Sequence, residues 1–271
     1  MKNYIKFILC ILAVFVFTAF FTLLKAQGPT VTINYQVKNL IPGTIIHVPV
    51  VMNATQVGNW QILINYDREV LTYISTDNTV GGLGLFNVMD NYMGLGYQVF
   101  KAGLAYTGGS PGYNYSNQTI LTINFTYKGG GTSFPYTNIS TLITQTGPTF
   151  TYVKTYPSNT INLSTVFNTG YASGILHSIT AGGQWKNRST WTENVKPNAL
   201  CDIQITGDEV LVDSAAACSN LTIENGAILK LNQGINLNVN GNFLLKSEIP
   251  SASLQDPGNG VNLKGDRNRE E

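Results

Sequence analysis

The chain has 271 residues, of which 11% are charged, with 16 basic side chains against 15 acidic ones. That near-balance excludes the strongly basic surface that nucleic-acid binding needs. Abundant Thr, Asn, Gly, Tyr and Val, with helix-period apolar stretches essentially missing, point to an all-β protein of one or two domains.

In chain order, Lys2 and Lys6 precede an apolar run from Phe7 to Leu24, followed by Lys25, Ala26 and Gln27. This reads as a secretory signal peptide over 1–26, cleaved after Ala26. The rival reading is an amino-terminal membrane anchor, since the run approaches the roughly 18 apolar residues that begin to span a bilayer. Cleavage removes three lysines and Cys10 and leaves a small acidic excess. The expected location is secreted, extracellular or on the outer cell surface, with the membrane met only through this segment or an unseen anchor. Cys201 and Cys218 remain; in an oxidising compartment they are a disulfide candidate. The alternative is two buried thiols stacked in neighbouring coils.

Residues 28–174 read as short strands separated by turns. Ile45 to Met52 follows a turn at Pro42 and Gly43, where one position needs a fixed φ and the next needs freedom. Trp60, Ile62, Ile64 and Tyr66 alternate with Gln61, Leu63 and Asn65, as a strand with one side in a core does. Trp60 is therefore read as core, and Asp67 as the cap of the turn after that strand, accepting backbone N–H groups. Leu121, Ile123, Phe125 and Tyr127 repeat the alternation before the Gly129–Gly130–Gly131 turn. Strands recurring at short intervals predict a β-sandwich.

Three stretches carry a family resemblance: VKNLIPGTIIHVPVVMN (37–53), VGNWQILINYDREVLTYIS (57–75) and TILTINFTYKGGGTSF (119–134). In order and spacing they resemble a cohesin domain over a little more than half the chain. The resemblance implies a jelly-roll β-sandwich related to carbohydrate-binding modules, and a protein partner of the dockerin kind.

The second half changes character. Residues 175–200 read as a linker leading into a short β-solenoid of about three coils over 201–245, and 246–271 as a polar, disordered tail. Ile203/Ile205, Leu221/Ile223 and Leu237/Val239 form one apolar series, and Val210/Val212, Leu229/Leu231 and Phe243/Leu245 a second. Two short strands per repeat, recurring near every seventeenth residue, bury their apolar side only when coils stack. The wording from Trp185 and Trp191 through Cys218, Asn220 and Gly226 to Gly241 also resembles surface proteins of Bacteroidota.

No catalytic constellation is legible. The two histidines, His47 and His177, have no Ser, Asp or Cys in a recognisable spacing, no zinc-ligand pattern exists, and no calcium loop is present. No cofactor is expected, and the chain is read as a non-enzyme. The best binding candidates are Tyr92, Tyr97, Tyr106, Tyr113 and Tyr115, in a Gly-rich middle where exposed rings could stack on sugars or anchor a protein. The expected function is a non-catalytic surface scaffold engaging a protein partner in adhesion or polysaccharide degradation. The alternatives are a carbohydrate-binding module capturing polysaccharide, and the remnant of a hydrolase or lyase.

Overall fold

The structure, a computed structural model, describes residues 28–78, 83–89, 98–105, 112–137, 139–145, 150–156, 158, 160–207 and 209–246, and strands at 253–255, 261–263 and 267–270. The segment read as a signal peptide lies outside the described residues. The first half forms β1 (Thr30–Ile33), β2 (Gln36–Leu40), β3 (Ile45–Tyr66), β4 (Leu71–Asn78), β5 (Leu83–Met89) and β6 (Gln98–Ala105). It continues with β7 (Tyr113–Tyr127), β8 (Gly131–Ser133), β9 (Tyr152–Thr155), β10 (Thr160–Ile161), β11 (Val166–Asn168) and β12 (Tyr171–His177).

The two strands read from 45–52 and 60–66 are one bent strand, β3. Register slips at Val50/Val51, Met52/Ala54 and Ala54/Val57 absorb the bend. Gln56 turns the corner at φ +55°, its N–H bonded to the Asn114 side-chain oxygen at 2.8 Å. Each half of β3 therefore serves a different leaf. The first half lies between β1 and β7 in the order β11-β1-β3-β7-β4, and the second lies between β9 and β6 in the order β10-β9-β3-β6-β5. The leaves face each other: the rings of Tyr66 and Phe125 approach to 4.8 Å, and those of Tyr73 and Phe100 to 6.0 Å. Trp60, Ile62 and Ile64 meet Leu121, Ile123 and Phe125 in one buried core, the sandwich that the alternation predicted.

β12 is the joint. Residues 171–174 pair with β2 and β8 of the sandwich, and Ile175 to His177 pair in parallel with β14 (Asp202–Ile205), with β13 (Gly183–Gln184) lying between the two in sequence. The expected linker is thus part of the first coil. Close packing holds the joint: a Cβ on Gly174 would stand 2.3 Å from the Leu40 carbonyl oxygen and 2.5 Å from the Tyr127 hydroxyl. No L side chain fits there.

Beyond the joint come β15 (Glu209–Val212), β16 (Ala216–Cys218), β17 (Leu221–Ile223), β18 (Ile228–Leu231) and β19 (Leu237–Val239). They are followed by β20 (Phe243–Lys246), β21 (Ser253–Gln255), β22 (Val261–Leu263) and β23 (Arg267–Glu270). All stack in parallel on three faces, β12-β14-β17-β20-β23, β13-β15-β18-β21 and β16-β19-β22. This stacking departs from the expected coils in two respects. Each coil beyond the first has three strands, so Leu237 and Val239 stack on Ala216 and Cys218, whereas Phe243 and Leu245 stack on Leu221 and Ile223. The coil step is 18 residues from Asp202 to Asn220 but 22 from Asn220 to Asn242. The segment expected to be a disordered tail contributes β21, β22 and β23, each paired with the coil before it.

Polar stacking fixes one corner of the coils. Asp202 Oδ1 accepts from the Asn220 side-chain amide at 2.8 Å, and Asn220 Oδ1 in turn accepts from the Asn242 N–H at 2.8 Å.

The disulfide candidate is not formed: Cys201 and Cys218 are separate buried thiols. Cys218 ends the third-face strand and stacks on Val239, while the Cys201 sulfur lies 3.4 Å from both the Asn198 N–H and its Oδ1. Burial pushes the Cys201 thiol up to about 11 and raises Cys218 as well. Folded protein is therefore expected to resist iodoacetamide at about pH 8, and both thiols to react once denaturant is added. A folded-state value above the unfolded one means that this contribution to stability is complete below the ordinary thiol range. It is lost as pH rises through about 11. Rapid labelling of the native protein would contradict this.

Candidate functional site

The turn residues fall where the sequence placed them. Gly43 adopts φ +90°, and the Thr44 N–H reaches the Ile41 carbonyl at 3.1 Å, a type II turn with Pro42 ahead of the glycine. Asp67 Oδ1 accepts the Glu69 N–H at 2.8 Å, and its main-chain carbonyl accepts from Val70 and Leu71. Burial raises the Asp67 carboxyl, opposed by the charges of Lys128, Arg188 and Arg68.

Two of the five candidate tyrosines, Tyr113 and Tyr115, lie among the described residues. Tyr115 is 3% exposed and belongs to the core beside Trp60, because its position on β7 shares the inward phase. Tyr113 is exposed, with its ring 6.2 Å from that of Tyr115. Tyr92, Tyr97 and Tyr106 lie outside the described residues.

The exposures of the two outer faces differ sharply. On the second half of β3 the outward residues Gln61 and Leu63 are 9% and 0% exposed. The Gln61 amide donates to the Phe150 carbonyl at 2.6 Å, and the Leu63 N–H donates to the Thr151 hydroxyl at 3.0 Å, so that leaf is covered there. On the first half, Ile46, Val48 and Val50 point inward, leaving Ile45 and His47 exposed on the outside. Ile74, the extra residue at a register slip in β4, is 46% exposed on the same leaf, and Ile45 is 56% exposed.

Between these isoleucines runs an ordered polar row. Register sets His47 of β3 opposite Asn124 of β7, and Asn124 opposite Ser75 of β4. His47 Nδ1 lies 2.7 Å from Asn124 Oδ1. The Asn124 amide nitrogen donates to Ser75 Oγ at 2.9 Å and to Asp77 Oδ2 at 3.0 Å. Asn124 is 6% exposed and immobilised, while His47, Ser75 and Asp77 are exposed. Sequence reasoning missed this row because Asn124, which joins it, is 47 to 77 positions from each of its partners; the one signal was the outward phase of His47.

The row does not have the geometry of an acyl-transfer triad. Ser75 and His47 sit two strands apart, about 10 Å by strand spacing, so the imidazole is no base for that hydroxyl. The other histidine, His177, ends β12 and meets Glu193 at 2.7 Å. That pair borders a seam between sandwich and coils, where a cleft of about 560 Å³ is lined by Asp67, Glu69, Thr132 and Asn198 among others. Beside it Arg188 pairs with Glu69, and the Lys128 ammonium donates to the Arg68 carbonyl. Among the described residues no group of three His, Cys, Asp or Glu is placed to hold a metal ion.

No protein-family model matches the sequence, and no curated protein matches it. The sandwich half is similar to solved cohesin domains. One is the third cohesin of ScaC from Acetivibrio cellulolyticus, in complex with the ScaB dockerin, at 14% identity over 54% of this chain and 98% of that one, with a TM-score of 0.39. Another is the sixth cohesin of scaffoldin B from the same organism, in complex with a Cel5 dockerin mutant, at 16% identity over 54% and 99%, TM-score 0.41. A non-cellulosomal cohesin from Archaeoglobus fulgidus matches at 15% identity over 54% and 89%, TM-score 0.38.

Proposed function

We propose that this chain is an exported, non-catalytic binding module of the cohesin kind, which docks a folded protein partner of the dockerin type. The docking surface is the outer face of the β11-β1-β3-β7-β4 leaf, and the coils are the stalk that carries it. The observation behind this reading is the row His47–Asn124–Ser75/Asp77, held rigid on an open sheet face and flanked by Ile45 and Ile74. An immobilised polar centre with apolar residues beside it suits a preorganised protein interface, since little side-chain entropy is lost on docking. The ordered motifs that resemble cohesins supply the partner class, and the lysine-flanked apolar segment at 1–26 supplies export.

The test is calorimetry of the chain lacking residues 1–26 against a panel of purified dockerin modules and, in parallel, cellulose and xylan oligosaccharides. The double variant Ile45→Asp, Ile74→Asp should fold normally, both residues being well exposed, and should weaken dockerin binding at least tenfold. Dockerin binding untouched by the double variant, or binding of the oligosaccharides alone, would remove this reading.

A further inference from the structure

The orientation of Asn124 fixes what the open face offers a partner. Asp77 Oδ2 only accepts hydrogen bonds, so the group 3.0 Å from it must be the Asn124 amide nitrogen. The Asn124 carbonyl oxygen then faces His47, and a carbonyl only accepts. His47 Nδ1 must therefore carry the hydrogen. In the neutral imidazole this leaves Nε2 as a bare acceptor, and among the described residues the side chain has no hydrogen-bond partner other than Asn124.

The electrostatic setting agrees. Of the strands beside His47, β4 contributes the carboxylate of Asp77, β7 faces it with neutral Asn124, and β1 and the rest of the first half of β3 contribute no charge. None of the outward positions described on this leaf carries a Lys or Arg. Two acceptors, His47 Nε2 and Asp77 Oδ2, thus stand at most about 10 Å apart, joined through the single Asn124 amide. Residues seven apart on a helix are separated by about the same distance along its axis.

We infer that His47 and Asp77 form an acceptor pair that selects a basic, helical segment of a protein partner, and that protonation of His47 converts its outward atom into a donor and releases that segment. Asn124 can accept from Nδ1 in either state, so the row survives protonation while the face changes sign. The inference rests on the reading of this leaf as a docking face.

The experiment uses the folded, ¹⁵N-labelled chain lacking residues 1–26. Imidazole nitrogen shifts at about pH 8 should show the Nδ1–H tautomer for His47; the Nε2–H tautomer would overturn the inference. A helical peptide with lysines at i and i+7 should perturb the His47, Asn124 and Asp77 resonances at about pH 7.5, and bind at least tenfold more weakly at about pH 5. Its glutamate counterpart should not bind at the higher pH. His47→Gln, whose amide does not titrate, should abolish the pH dependence. Equal binding of the lysine peptide at both pH values, or preference for the glutamate peptide, would sink the acceptor pair. Dockerin binding unaffected by the isoleucine variants would sink the docking reading instead, so the two failures are distinguishable.

Discussion

Trp191→Ala is expected to lower the unfolding free energy by about 3–5 kcal/mol, the range for deleting a large buried aromatic ring. Trp191 and Trp185 are each 1% exposed, with rings edge to face at 5.4 Å and 82°. The Trp191 indole N–H donates to the Trp185 carbonyl at 2.9 Å in a buried setting. Alanine therefore leaves both a cavity and an unpaired carbonyl, and the second defect adds to the first. Trp191→Phe, which keeps most of the ring volume and loses only the donor, should cost about 1–3 kcal/mol. One buried core cluster runs from Val31 of the sandwich to Val239 of the coils and includes this pair. Urea unfolding followed by far-UV circular dichroism and by tryptophan fluorescence should therefore show a single transition that moves as a whole. Two separate transitions, with the substitution shifting one alone, would show that sandwich and coils are energetically independent.

Alternation made the strands legible but not their partners. Leu237-Asn238-Val239 and Leu221-Thr222-Ile223 follow the same in-out-in pattern, so spacing alone grouped them on one face. Only the backbone path, which turns twice within each coil, puts them on different faces. Likewise, Trp60 to Tyr66 was readable as a core-facing strand, yet nothing local in Leu63 announces that its other side is covered as well. The turn at Pro42 and Gly43 and the cap at Asp67 were readable because the chemistry of each lies within four residues. The His47–Asn124–Asp77 row was not, because three strands distant in sequence supply it and no member is unusual alone. Tyr115 was misplaced for the opposite reason: a Gly-rich neighbourhood read as loop conceals a long strand, β7, that begins at Tyr113.

Glu193→Ala should cost about 2–3 kcal/mol, measured by urea unfolding near neutral pH. The Glu193 side chain is 7% exposed and accepts twice from one residue, from His177 Nδ1 at 2.7 Å and from the His177 backbone N–H at 3.0 Å. The imidazole is 43% exposed, so solvent screens the ionic part of the pair, and most of the expected loss comes from the backbone group. That N–H belongs to β12, the strand shared by sandwich and coils, and would be left without an acceptor where water has poor access. Glu193 also packs over the glycine turn, since a Cβ on Gly129 would stand 2.8 Å from its own Cβ. Truncation therefore loosens the seam from both sides. Glu193→Gln keeps an acceptor for the N–H and nearly the same volume, so its loss should be about 1 kcal/mol or less. Neither variant touches the outer leaf, and both should bind a dockerin module with wild-type affinity under conditions where they remain folded. A Glu193→Ala protein as stable as the parent would mean that another group satisfies His177. A stable variant that loses binding would mean that the seam takes part in recognition.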